Sequence, residues 1–167
     1  MTADDMMAVL ARRLNIEGLA LNEQRMASIY IGEMTINFEE DESSVWLYVH
    51  GEVAGYASLL PQERLLGLLK AHHLFNDLPN ATLGISRDDA LELFMRVQLV
   101  DGVTDEDWMA MFVSFAVSLN KWRAKFGAEG GDGSLQAEEL HGIEAGLDSA
   151  AKDDEEIPFG FSGGIRV

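Results

Sequence analysis

The chain has 167 residues with 29 acidic and 12 basic side chains, giving a formal net charge of −17, and it contains no cysteine. This length suits one domain that can bury a core of its own, and the lack of cysteine excludes disulfides, thiolate catalysis and cysteine-bound zinc. The negative charge repels the phosphates of nucleic acid and anionic membranes, so neither is an expected partner.

The N-terminal region predicts a cytoplasmic protein whose chain begins with a helix. Residues 1–5 are acidic where a signal peptide is basic, and no apolar run reaches the ~20 residues that span a bilayer. Residues 3–15 are predicted to be helical, because apolar residues recur there on one face. That face consists of Met6, Met7, Leu10 and Leu14.

Three strands are predicted next, at 26–31, 34–39 and 45–50. Their connections are too short for crossovers, so they form an antiparallel meander. The third strand is apolar on both faces. Val45, Leu47 and Val49 alternate with Trp46 and Tyr48, and Tyr30 of the first strand shares the second face. We expect that aromatic face to be covered by a second copy, the tail, a partner or a helix of this chain.

The second half of the chain predicts helix, strand, strand, helix. Residues 61–75 are predicted to form a helix that starts at Pro61. Apolar residues occupy most faces of this helix, which is typical of a subunit interface or of a central core helix. Strands follow at 81–85 and 91–99, although the good helix formers after Asp88 also permit a helix there. Residues 104–126 are predicted to be a long helix capped by Thr104.

Beyond Phe126 the composition changes to an acidic, Gly-rich extension. Residues 127–167 hold 10 acids and 2 bases, whereas residues 1–126 hold 19 and 10. A weak amphipathic helix is possible around 135–147, and alternating apolar residues at 157–167 are unlike a disordered tail. A resemblance of 129–139 to a calcium loop lacks two ligands, so no calcium site is expected.

No arrangement of residues suggests catalysis, a metal site or a cofactor. His72 and His73 are adjacent, so on a helix they point in different directions and chelate poorly, while His50 and His141 stand apart. No nucleophile motif, phosphate-binding glycine loop or zinc-binding helix motif is present. We therefore predict a binding protein that is not an enzyme and needs no cofactor.

The order of elements resembles the class I chaperones of bacterial type III secretion, the Tir-chaperone-like family. The likeness spans about residues 3–126, from the meander and Leu59-Leu60-Pro61 to the segment at 83–89 and the helix with Phe112-Val113-Ser114-Phe115-Ala116 and Trp122. It implies an α+β homodimer in the bacterial cytoplasm. It also implies that the dimer binds the N-terminal segment of a secreted effector in largely extended form and keeps it export-competent.

The resemblance divides the chain into a chaperone-like domain, 1–126, and a C-terminal extension, 127–167, that is longer than the family pattern and is a candidate shield for the binding grooves. Leu65, Leu66 and Leu69 are dimer candidates by position. Groove candidates are Met6, Leu10 and Leu14 of the first helix and the outer strand residues Tyr30, Trp46 and Tyr48.

Two other functions remain open at the level of sequence. One is a regulatory or interaction protein on the same scaffold without a secretion role, since a fold does not fix a function. The other is an acidic mimic of nucleic acid that sequesters a basic protein, which requires carboxylates in a regular array on one face.

Overall fold

A computed structural model describes residues 1–71 and 80–127 of the chain. The architecture is α+β, with one five-stranded sheet, three α-helices and a short 3₁₀ helix at Ala57–Leu59 in the described ranges. The helices are α1 (Ala3–Leu14), α2 (Gln62–Ala71) and α3 (Asp105–Gly127). The strands are β1 (Met26–Ile31), β2 (Met34–Glu40), β3 (Trp46–Ala54), β4 (Thr82–Ile85) and β5 (Leu91–Gln98).

The sheet is antiparallel with the strand order β1-β2-β3-β5-β4. The predicted meander is therefore confirmed, and residues after Asp88 form a strand and not a helix. β5 pairs with β3 over the length of both strands, from Trp46 opposite Gln98 to Ala54 opposite Leu91. β3 and β5 are thus central, while β1 and β4 lie at the two edges.

One described boundary differs from the prediction by more than one residue. β3 continues four residues beyond His50, because Gly51 and Val53 keep the alternation of buried positions through Ala54. α2 was predicted over 61–75, and its described part ends at Ala71. Its leucines do not make a central core helix, because Leu68 is buried whereas Leu66 and Leu69 are exposed. His72, His73 and the extension after Gly127 lie outside the described residues.

α1 and α3 both begin with a reciprocal cap. Thr2 Oγ1 accepts a hydrogen bond from the Asp5 backbone N–H, and the Thr2 N–H donates to the Asp5 carboxylate. Thr104 and Asp107 repeat this arrangement at α3, where the Thr104 hydroxyl also donates to Asp107 Oδ2 at 2.8 Å. Each cap satisfies backbone donors that have no partner within a helix, and so fixes where the helix starts.

The core lies between one face of the sheet and α3, and we call this face the inner face. The ring of Phe38 on β2 stacks on that of Phe112 on α3, with centroids 6.2 Å apart. α1 packs on α3, where Trp108 Nε1 donates to the carbonyl oxygen of Met6 at 3.0 Å. Trp108 is fully buried, so without this hydrogen bond its indole N–H would be buried with no acceptor. The same bond fixes the position of α1 relative to α3.

Arg25 ties α1 to the edge of the sheet. Its Nη1 and Nη2 each lie 3.0 Å from a carboxylate oxygen of Asp4, and its Nε donates to Glu40 Oε2 at 2.7 Å. The hydrogen bonds to Asp4 and then to Glu40 raise the pKa of Arg25, so the guanidinium stays charged. At the other end of α1, Arg12 pairs with Asp105 of α3 at 2.6 Å.

Gly51 on β3 lets α3 approach the sheet closely. A Cβ atom at this position would lie 2.5 Å from Leu119 Cδ2 and 2.9 Å from the carbonyl oxygen of Thr35. Leu119 is fully buried, so it has little room to move away from an added methyl group.

Gly51→Ala is expected to destabilise the protein by about 1–3 kcal/mol, because overpacking displaces Leu119 or the backbone of β2. Urea denaturation measures the change. Gly55→Ala is the control, since its Cβ would meet only Glu52 Oε1 at 3.5 Å, an ordinary contact. Equal stability of Gly51→Ala and Gly55→Ala would contradict the close approach of α3.

The cap of α3 makes stability depend on pH on the acid side. The hydrogen bonds from the Thr104 hydroxyl and then from its N–H lower the pKa of Asp107. A carboxyl whose pKa is lower in the folded state stabilises the fold above its unfolded pKa, about 3.9, and loses that contribution as the pH falls through the folded value. Asp107→Asn is therefore expected to be less stable than the parent at neutral pH, with the difference shrinking below about pH 4.

Denaturation midpoints measured across pH test this expectation. Asp88→Asn, which removes one charge from an exposed turn, is the control for the loss of charge alone. A difference for Asp107→Asn that persists undiminished in acid would show that the cap does not depend on the carboxylate charge.

Candidate binding surface

The face of the sheet opposite α3 carries side chains that all retain solvent exposure, and we call it the outer face. It alternates residue by residue with the buried inner face along β1, β2, β3 and β5. Its members are Met26, Ser28, Tyr30, Thr35, Asn37, Glu39, Trp46, Tyr48, His50, Glu52, Glu92, Phe94, Arg96 and Gln98.

Three aromatic side chains on the two central strands form the apolar part of this face. Trp46 and Tyr48 lie on β3, as the alternation predicted, and Phe94 lies opposite His50 on β5. Phe94 is 37% exposed, and Trp46 and Tyr48 are half-buried. Side chains directly opposite or diagonal on one sheet face are within reach of one another. We call Trp46, Tyr48, Phe94 and the intervening Arg96 the aromatic platform.

Arg96 completes the platform with a positive charge. It lies opposite Tyr48, and its Cζ atom is 4.1 Å from the centroid of the Trp46 ring. Within 1–71 and 80–127, no carboxylate lies within ion-pair distance of Arg96. A guanidinium over an indole ring makes its contact through its face, and its N–H groups can still donate to a further acceptor.

The other end of the outer face is polar. His50 Nδ1 lies 3.8 Å from Glu92 Oε2 and makes no hydrogen bond in the described part of the chain. Glu52 lies directly opposite Glu92, so two like charges share one cross-strand pair. The face therefore grades from aromatic and cationic at Trp46 and Arg96 to acidic at Glu52 and Glu92.

The predicted groove residues divide between this face and the core. Tyr30, 41% exposed, is on the outer face, but β2 separates its strand from the platform by about 10 Å. Met6 and Leu10 are fully buried, and Leu14 packs partly buried against the core. The assignment of Met6 and Leu10 to a surface groove is therefore corrected, because both side chains are part of the hydrophobic core.

Phe94 and Arg96 were missed by the sequence reasoning. Alternation along β5 does place them opposite the buried Leu93, Met95 and Val97. The pairing of β5 with β3, which brings them beside Trp46 and Tyr48, is a non-local contact that no local pattern encodes.

A second apolar surface lies on α2. Leu68 is buried and Leu65 packs partly against the core, while Leu66 and Leu69 are 48% and 70% exposed. The edge strand β4 adds Ile85, which is 58% exposed. The dimer candidates Leu65, Leu66 and Leu69 thus include two side chains that the described part of the chain leaves uncovered.

The described residues show neither a metal site nor a membrane span. No group of three or more His, Asp or Glu side chains among them could hold a metal ion. None of the helices in 1–71 and 80–127 is both long and apolar enough to cross a bilayer.

The amino-acid sequence matches the model of one protein family. The sequence model of the Tir chaperone protein (CesT) family matches residues 6–123, well over half of the chain. The chain belongs to this family. The resemblance drawn from the sequence is confirmed, and membership of a family of chaperones means that the chain is a chaperone and not an enzyme.

Solved structures show the same fold. The crystal structure of the ExsC-ExsE complex matches with a TM-score of 0.60 and 18% identity over 74% of this chain and 96% of that chain. The Yersinia pestis type III secretion chaperone SycH, in complex with a fragment of YscM2, matches with a TM-score of 0.56 and 15% identity over 73% of this chain and 97% of that chain. The Pseudomonas aeruginosa complex ExoU-SpcU matches with a TM-score of 0.53 and 21% identity over 71% of this chain and 92% of that chain. No curated protein sequence matches the chain.

The alternative of a nucleic-acid mimic depends on the carboxylates of the extension, the only part of the chain in which they are dense enough, and the extension lies outside the described residues. On the outer face, Glu39, Glu52 and Glu92 are separated by aromatic and amide side chains and form no regular array. The family match leaves effector binding as the function to be argued.

Proposed function

We propose that this protein is a cytoplasmic chaperone of bacterial type III secretion that binds an N-terminal, extended segment of a secreted effector across its outer face. The observation that carries the proposal is the aromatic platform, which is exposed at the centre of the sheet in a chain of the Tir chaperone family. Several structures with this fold are complexes of a chaperone with an effector or another protein, among them HopA1-SchA.

The platform can supply binding free energy to an unfolded segment. Aromatic side chains dominate binding energetics at interfaces, because they lose much apolar area to solvent at a small entropic cost. An extended segment presents side chains at every second residue to one surface, which matches the spacing of Trp46 and Tyr48 along β3. Holding the segment extended keeps it from folding or aggregating before export.

The sheet edges can add main-chain recognition. Among the described strands, β1 and β4 each pair with one neighbour, so one side of each strand has backbone N–H and C=O groups outside the sheet ladder. An extended peptide that adds a strand there gains hydrogen bonds that do not depend on its sequence. Specificity then comes from the side chains that reach the outer face.

We further propose a homodimer formed through α2. Leu66 and Leu69 are exposed on a helix whose opposite side, at Leu68, is buried in the core. Exposed leucines repeated on one side of a helix are typical of helix packing between subunits. Ile85 on the edge strand β4 is a further exposed apolar side chain available to such an interface.

The outer face is tested by co-purification from the native cytoplasm, identification of the bound protein and mapping of its protected segment by limited proteolysis. Trp46→Thr combined with Tyr48→Thr, which keeps strand propensity, is expected to weaken binding of that segment by between ~30-fold and ~1,000-fold, since one buried aromatic anchor contributes about 2 kcal/mol and the contributions of two need not add. Titration calorimetry measures the dissociation constants.

Val100→Ser is the control, because it removes an apolar side chain that is 42% exposed in the loop after β5. It is expected to leave the dissociation constant unchanged. Equal binding by the parent and the Trp46/Tyr48 variant would show that the effector binds elsewhere.

The dimer is tested by placing a charge on α2. Leu69→Glu is expected to convert the dimer to a monomer at micromolar concentration, because a buried carboxylate without a partner opposes association. Gln62→Glu adds the same charge at an exposed position of the same helix and is expected to remain dimeric. Sedimentation velocity distinguishes the two states, and a parent protein that is already monomeric would refute the interface.

A further inference from the structure

The aromatic platform combines an unpaired cation with apolar rings, and this defines the chemistry of a ligand. Arg96 lies against Trp46 and opposite Tyr48, with no carboxylate partner among the described residues. A matching extended ligand carries a carboxylate followed by apolar side chains at alternate positions. The carboxylate pairs with the guanidinium edge, and the apolar side chains cover the rings.

The chain itself contains such a segment. Asp153-Asp154-Glu155-Glu156 is followed by Ile157, Phe159 and Phe161, with Pro158 and Gly160 between them. Within the extension, this is the place where a run of acids leads directly into alternating apolar residues. The segment lies outside the described residues, so its match to the platform rests on sequence and chemistry.

The segment can reach the platform. Arg123 Nη1 donates to the carbonyl oxygen of Glu52 at 3.0 Å, so the last turns of α3 lie near the C-terminal half of β3. The six residues from Glu52 back to Trp46 span about 20 Å of strand, and the chain must also pass around an edge of the sheet, because α3 packs on the inner face and the platform lies on the outer face. A stretch of 26 residues, the number from Gly127 to Asp153, reaches up to roughly 85 Å when extended and has a root-mean-square span of roughly 28 Å as a flexible linker, so this path is within reach and the tether would hold the segment at about millimolar effective concentration.

We propose that residues 153–161 bind the aromatic platform of their own chain when no effector is present. One of the acids at 153–156 pairs with Arg96, and Ile157, Phe159 and Phe161 cover Trp46, Tyr48 and Phe94. The inference rests on the proposed function, since the segment occupies the surface assigned to the effector. An effector must displace it, so the apparent association constant of the chaperone equals the intrinsic constant multiplied by the fraction of chains whose platform is free.

The three tryptophans allow a direct test in the full-length chain. Trp108 and Trp122 are 0% and 2% exposed, whereas Trp46 is half-buried on the outer face. Quenching of fluorescence by acrylamide therefore reports chiefly on Trp46. Phe159→Ser combined with Phe161→Ser is expected to raise the Stern–Volmer constant about two-fold or more, because a segment bound most of the time shields the ring in proportion to its occupancy.

A matched control separates this effect from a general change in the extension. Leu135→Ser combined with Leu140→Ser removes two apolar side chains from the extension outside the proposed segment and is expected to leave quenching unchanged. Glu155→Gln combined with Glu156→Gln is expected to raise quenching by a smaller amount, and added salt is expected to shrink the difference between this variant and the parent.

Three outcomes would overturn the inference. Equal quenching of the parent and the Phe159/Phe161 variant would show that the segment does not cover Trp46. An equal rise in the Leu135/Leu140 control would show a non-specific effect of the extension. Protection that increases with protein concentration would place the segment on a second copy instead of its own chain.

The same measurement distinguishes this inference from the proposed function. If the mapped effector segment lowers quenching of Trp46 while the Phe159/Phe161 substitution changes nothing, the outer face binds the effector and the inference alone fails. If the effector segment binds with no change in quenching, the outer face is not the effector site and the proposed function needs another surface.

Discussion

Helix α3 closes one face of the sheet, and this packing decides what the other face is free to do. Phe112 stacks on Phe38, Leu119 lies against the backbone at Gly51, and Trp108 donates a buried hydrogen bond to α1. These contacts bury the inner side chains of β2, β3 and β5 completely or nearly so. Since a strand alternates its side chains between two faces, a core complete on the inner side leaves the outer side available for recognition.

The outer face is amphipathic in a way that suits transient binding of an unfolded segment. Its aromatic rings offer apolar area, while Glu39, Glu52, Glu92 and the amides around them keep the surface hydrated between binding events. The overall charge of −17 adds repulsion between copies and so opposes aggregation through the exposed rings. The apolar rings on β3 and β5 can thus stay exposed to solvent, because the negative charge of the rest of the chain opposes association between copies.

Local patterns predicted the elements and the two faces of β3, because alternation and helical spacing are properties of neighbouring residues. Trp46, Tyr48 and Tyr30 were accordingly placed on the correct face. Met6 and Leu10 were assigned wrongly, since periodicity identifies the apolar face of α1 without showing that this face is buried in the core. Phe94 and Arg96 were missed because their proximity to Trp46 depends on the pairing of β5 with β3, and about fifty positions of sequence separate Trp46 from Arg96. Contacts of that kind come from topology, which one sequence does not encode locally.

Arg96 shows why the platform is more than an exposed apolar patch. In a chain with 29 acidic side chains, Arg12, Arg13 and Arg25 pair with carboxylates, whereas Arg96 lies on the Trp46 ring. A cation–π contact of this kind stabilises by roughly 0.5–1 kcal/mol at an exposed site and leaves the donors at the guanidinium edge free. A segment that brought only apolar side chains would cover Arg96 without satisfying those donors, at a desolvation cost. Under the proposed function, apolar segments that also carry a carboxylate in register with Arg96 would therefore bind in preference to segments that do not.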